Sequence, residues 1–117
     1  MARILVVDDE HTLRLLYKHE LGEEGHTVDL AATANEGVAK VRDNQYDVVI
    51  LDIRMPGKDG LEALAEMLAE RRNIKVIINT AYSTYKDNFM SWAAEDYVVK
   101  SSDLTELKEK IAEVISR

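Results

Sequence analysis

Two hydrophobic periodicities alternate along the chain. Short apolar runs rich in β-branched residues occur at Ile4 to Val7, "TVDLA" (27–31), "YDVVILDI" (46–53), "IKVIINT" (74–80) and "DYVVK" (96–100). Each reads as a strand, and 46–53, apolar almost throughout, is the strongest. Between them apolar side chains recur at helical spacing. Leu13, Leu16, Tyr17 and Leu21 do so over 11–21, with Gly22 and Gly25 as punctuation. Thr33 and Glu36 form a capping-box pattern ahead of Ala34, Val38 and Val41. The loop "MPGKDG" (55–60) precedes Leu61, Leu64, Ala65 and Leu68. Residues 83–93 make a poor helix of few strong formers, with Tyr85, Phe89 and Trp92 at i, i+4 and i+7. Asp103 and Glu106 mark a capped start for Leu104, Leu107, Ile111 and Ile115.

The pattern is strand–helix five times over. Continuous apolar strands alternating with amphipathic helices predict an α/β fold, a parallel sheet covered on both faces. Right-handed crossovers then favour a doubly wound three-layer sandwich. Ligands of such folds sit at the carboxyl ends of the strands, near the switch in strand order.

Composition narrows the picture. A length of 117 residues suits one domain, 1–117, and 46% hydrophobic with 32% charged residues suits one core and a soluble surface. No apolar run approaches the ~20 residues of a membrane span. The N-terminal "MARILVV" meets Asp8 too soon for a secretory signal. The absence of cysteine excludes disulfides and thiolate metal sites and fits a cytoplasmic location. A net charge of −7 argues against direct nucleic-acid binding and for a protein partner or a cation.

The strand ends carry the candidate chemistry. Asp8 and Asp9 follow strand one, Asp52 ends strand three, Thr80 strand four and Lys100 strand five. Parallel strands place all of these on one edge. Carboxylates about 5 Å apart repel by roughly 3 kcal/mol per pair at an effective dielectric of 20, so the cluster takes up protons or recruits a cation. Carboxylates without convergent His or Cys suit Mg²⁺ better than Ca²⁺. A carboxylate beside Mg²⁺, Lys and a hydroxyl is equipped to attack a phosphoryl donor.

In "VVDDE" (6–10), "ILDIRMPGKDG" (50–60), "NTAYS" (79–83) and "DYVVK" (96–100) the chain resembles a response-regulator receiver domain over essentially its whole length. The resemblance implies a flavodoxin-like (βα)5 fold with strand order 2-1-3-4-5. It implies that Asp52 accepts a phosphoryl group from a histidine kinase or histidine phosphotransfer protein. Asp9 would bind Mg²⁺ (or Mn²⁺) directly and Asp8 mainly through water, with the Arg54 backbone carbonyl as a further ligand. Thr80 and Lys100 would hold phosphoryl oxygens, Ala81 would keep the approach open, and the Tyr97 rotamer would follow Thr80. Arg54 and Tyr82 would flank the site and tune the phosphoryl lifetime. Output would pass through the face of helix four, strand five and helix five to a target the sequence does not name. The protein would be a monomer, or a weak homodimer on phosphorylation, and no enzyme beyond its own phosphorylation and slow dephosphorylation. It would be a stand-alone receiver or one domain of a longer regulator. Receivers commonly carry Pro after the strand-five Lys; here Ser101 follows, which favours a trans Lys100–Ser101 bond.

Simpler readings stand beside these. Asp8 and Asp9 also read as N-caps of the first helix, and Glu10 as solvent-facing. His11, His19 and His26 read as surface residues, and Tyr97 also suits a half-buried strand. Phe89, Met90 and Trp92 suit a partner patch or core equally. A haloacid-dehalogenase-type phosphatase needs two Asp separated by one residue, whereas here the acids are adjacent. A flavodoxin-like cofactor site needs a phosphate-cradling first loop, and "DDEHT" would repel phosphate.

Overall fold

The computed structural model describes residues 2–83 and 93–117. Five strands form one parallel sheet: β1 (Arg3–Val7), β2 (Thr27–Ala31), β3 (Val48–Leu51), β4 (Val76–Thr80) and β5 (Asp96–Val99). The described helices are α1 (His11–Glu23), α2 (Ala34–Asp43), α3 (Gly60–Glu70) and α4 (Thr105–Ile115). The predicted helix at 83–93, with Tyr85, Phe89, Met90 and Trp92, falls almost wholly outside the described residues. Helix α4 is the last helix the sequence predicts.

The strand order is β2-β1-β3-β4-β5. Chain order therefore reverses at β1, which pairs with β2 on one side and β3 on the other. Alternation along the strands builds two cores. Leu5, Val7, Val49, Leu51, Val76 and Ile78 meet Val41, Leu61, Leu64 and Met67 of α2 and α3. Ile4, Val6, Val48, Ile50, Ile77 and Val98 meet Tyr17 and Leu21 of α1 and Leu107, Ile111 and Val114 of α4. Each fully buried aliphatic side chain contributes about 1.5–3 kcal/mol, so both layers are needed to hold the central strands.

Some local expectations change. The Thr33 hydroxyl accepts from Glu36 N at 3.1 Å, as the capping box requires, but the Glu36 carboxylate reaches Ala32 N at 2.5 Å, one residue before the cap. Neither Asp8 nor Asp9 caps α1. The N-cap is Glu10, without a side-chain bond, because the Asp8 carboxylate turns back to accept from Glu10 N at 2.9 Å. Asp103 accepts from Thr105 N at 2.9 Å, although the backbone N-cap of α4 is Leu104. His26 is half-buried, and its Nδ1 accepts from Ala2 N at 3.2 Å. Burial first of all holds its imidazole below the usual pKa.

One glycine places the loop after β3. Gly60 N donates to Ile53 O at 3.2 Å, and a Cβ on Gly60 would lie 2.1 Å from Ile53 Cα. Only glycine allows α3 to begin so close to the segment that carries Asp52.

Candidate functional site

The register sorts the strand-end residues onto two sides of the sheet. Asp8 continues the alternation of Ile4 and Val6, Asp52 that of Val48 and Ile50, Asn79 that of Ile77, and Lys100 that of Val98. All four therefore belong to the α1/α4 side. Thr80 follows Val76 and Ile78 on the α2/α3 side, where Tyr97 also packs. Thr80 and Lys100 remain joined across the ladder, since Lys100 N donates to Thr80 O at 2.7 Å.

Lys100 Nζ lies 2.8 Å from Asp8 Oδ2 and 2.8 Å from Asp52 Oδ2. Asp8 and Asp52 are 1% and 5% exposed, so one ammonium bridges two buried carboxylates. Burial alone would lower the Lys100 pKa. The hydrogen bonds and charges of Asp52 and Asp8 outweigh it, and the net shift is upward. The other oxygens are satisfied by backbone: Arg54 N donates to Asp52 Oδ1 at 2.9 Å, and Glu10 N to Asp8 Oδ1 at 2.9 Å. Asp9 is exposed at the rim, as is Glu10. One carboxylate oxygen from each of Asp8, Asp9 and Asp52 lies within 4.8 Å of the others. Three carboxylates and one lysine leave a formal charge of about −2, which a divalent cation would offset. An all-oxygen donor set fits Mg²⁺ chemistry.

The Thr80 hydroxyl is fully buried and has no hydrogen-bond partner among the described residues. Such an orphan costs about 1–3 kcal/mol, a debt that an incoming acceptor would relieve. Ala81, exposed, puts only a methyl group beside it. Tyr97 is half-buried, and its hydroxyl donates to Tyr82 O. The Arg54 guanidinium lies 5.0 Å over the Tyr82 ring, so the two flanking residues touch each other above the rim. The Lys100–Ser101 bond is trans, since no cis peptide occurs among the described residues.

Three participants escaped sequence reasoning. Arg14 donates to the Asp8 carbonyl at 2.8 Å, anchoring the first loop to α1. Asn79 Nδ2 donates to the Tyr17 hydroxyl at 3.0 Å across the α1/α4-side core. The signal for that pair was present: Asn79 is the lone amide in its strand, and Tyr17 the lone hydroxyl in the apolar stripe of its helix.

Fold and site together define a doubly wound α/β domain with an acidic, lysine-bridged cluster at its switch point. The chain belongs to the response regulator receiver domain family, whose family model it matches over residues 4–112. Among curated relatives it is 40% identical over 108 residues to the transcriptional regulatory protein TcrA of Mycobacterium tuberculosis, covering 91% of this chain and 43% of that protein. The chain spans about half the length of the curated relatives it matches. The crystal structure of the response regulator TrrA of Thermotoga maritima with Mg²⁺-BeF is 49% identical, with a TM-score of 0.94, and covers 97% of this chain and 99% of that one. TrrA in complex with the histidine kinase ThkA superposes with a TM-score of 0.91 at 49% identity, covering 97% and 98%. The chain is thus a receiver domain of two-component response regulators. Among the described residues, no helix is long and apolar enough to cross a membrane.

Proposed function

We propose that residues 1–117 form one phosphoacceptor unit in which Asp52 takes the phosphoryl group. The observation that carries this reading is the single ammonium 2.8 Å from both Asp8 and Asp52, with Asp9 completing a carboxylate cluster. An Asp52 oxygen attacks phosphorus. The new O–P bond forms as the P–N bond of a phosphohistidine breaks, and the imidazole leaves with a solvent proton. Asp8, Asp9, Asp52 and the Arg54 carbonyl would hold Mg²⁺, with Mn²⁺ as an alternative. When bound, that ion supplies charge neutralisation at the transferring oxygens.

The protein's own groups do the rest. Lys100 gives up its bond to the Asp52 carboxylate and takes a phosphoryl oxygen instead. The Thr80 hydroxyl gains the partner it lacks, while Ala81 leaves the approach open. Arg54 and Tyr82, stacked on each other, restrict the path of water to the acyl phosphate. Tyr97 shares the Thr80 side of the sheet and would report its movement through the face of β5 and the last helix.

The phosphodonor partner is a histidine kinase or phosphotransfer protein, a reading supported by the TrrA–ThkA complex. Output to an unnamed target follows, from a cytoplasmic monomer or a weak phosphorylation-dependent dimer. Relatives of about twice this length, TcrA among them, favour a second reading in which the receiver governs a further domain of a longer transcriptional regulator.

Intact-mass measurement after acetyl phosphate treatment tests the proposal. Wild type should gain one phosphoryl group with Mg²⁺ and none with EDTA, and Asp52→Asn should gain none. Undiminished labelling of Asp52→Asn would reject Asp52 as the acceptor.

A further inference from the structure

The core behind the cluster contains a polar pair that folding alone does not demand. Tyr17 and Asn79 are 2% and 3% exposed and are joined by a hydrogen bond across the α1–β4 gap at 3.0 Å. An apolar pair of similar size would fill the same space without the desolvation cost of a buried amide and hydroxyl. Their neighbours are the candidate catalytic groups. Asn79 faces Val98 in the β4–β5 ladder, two residues before Lys100, and directly precedes Thr80. Leu13, Leu16, Tyr17, Lys100, Ser101 and Ser102 line one cavity of about 400 Å³ between α1 and the loop after β5. Lys100, its side chain 13% exposed, and Tyr17 thus border the same cavity.

A lysine is a compact charge on a flexible four-carbon stem, and holding it in one geometry costs rotamer entropy. In the structure two carboxylates hold the head. When Asp52 is esterified one of them is lost, and only Asp8 and the surrounding wall are left to limit where the ammonium goes. Tyr17 can serve as that wall only if its ring is fixed, and Asn79 fixes it.

From this juxtaposition we infer that Tyr17 and Asn79 are a positioning pair for Lys100, locking the aromatic wall against which its stem pivots between the Asp52 carboxylate and the phosphoryl oxygen. The inference rests on the proposed role of Lys100 in phosphoryl transfer and assigns two residues to support it.

The test separates positioning from stability. Tyr17→Phe takes the acceptor from the Asn79 amide; the double variant Tyr17→Phe/Asn79→Leu replaces both partners of that bond by apolar side chains. Variants of the 117-residue chain are compared by urea unfolding, by initial rate of labelling with acetyl phosphate and Mg²⁺, and by the Lys100 side-chain ¹³Cε and ¹⁵Nζ resonances without phosphodonor. The double variant should be at least as stable as wild type, yet label about tenfold more slowly, since small misplacements cost catalysis steeply. Its Lys100 resonances should move. A labelling rate within twofold of wild type, with unmoved Lys100 resonances, would overturn the inference and leave the pair a packing feature. Should the double variant fail to fold, Tyr17→Phe alone decides by the same two readouts. Lys100→Met is the control for the underlying reading: if it labels at the wild-type rate, the role of Lys100 in transfer fails, and the resonances alone decide whether the pair positions it.

Discussion

Replacing Lys100 by Met removes the charge and keeps an unbranched apolar stem, so it isolates the electrostatics of the cluster. In wild type the ammonium sits 2.8 Å from each of two buried carboxylates. Without it, the repulsion between Asp8 and Asp52 stands uncompensated. For oxygens no more than 4.8 Å apart and an effective dielectric of 20, that is at least about 3.5 kcal/mol. The figure falls inside the roughly 3–5 kcal/mol lost when one partner of a buried ion pair is removed. Urea or thermal unfolding followed by circular dichroism reads the loss. In EDTA at pH 7, Lys100→Met should lose about 3.5 kcal/mol, or ~14 °C in Tm for a domain of this size. Saturating Mg²⁺ should narrow the gap, because a divalent cation substitutes for the missing charge. A loss under about 1 kcal/mol in EDTA, or a gap indifferent to Mg²⁺, would refute the reasoning.

Other perturbations reach other parts of the account. Thr80→Val exchanges an unpartnered buried hydroxyl for a methyl group and should stabilise the unphosphorylated protein by about 1 kcal/mol in urea titrations, while its structural response to acetyl phosphate, read by amide shifts in β5, diminishes. Gly60→Ala drives a Cβ into the Ile53 backbone and should cost about 2 kcal/mol or more, with displacement of the Asp52 loop visible in the same spectra; a neutral result would mean the loop is freer than the 2.1 Å approach implies. Thr33→Ala removes the α2 cap and should cost about 1 kcal/mol without changing the labelling rate, because α2 contributes no group to the cluster.

Much of this architecture was legible in the chain because each element announces itself locally. The runs at Ile4–Val7 and 46–53 are apolar on both faces, as only a strand covered on both sides requires, and "TVDLA" matches β2 residue for residue. The cluster was legible one step later, since a parallel sheet puts strand ends on a common edge. What stayed hidden depends on tertiary choice. Asp8 could cap α1, but its carboxylate is held by Lys100 and Glu10 N instead, 92 and 2 residues away (100 − 8, 10 − 8). Asn79 and Tyr17 find each other across 62 residues, and although each stands out among apolar neighbours, nothing local pairs one with the other. His26 looked like a surface residue because its partner, Ala2 N, meets it only when β1 and β2 pair.

The central claim is that distant acids and one lysine meet at the sheet's carboxyl edge so that Asp52 alone becomes the phosphoryl acceptor. Borohydride reduction of the protein after acetyl phosphate treatment converts an aspartyl phosphate to homoserine, and peptide mapping then locates it. The account predicts homoserine at position 52 only, and only when Mg²⁺ was present. Homoserine at position 8 or 9, or at no position under conditions where the protein is folded and Mg²⁺ is bound, would contradict it.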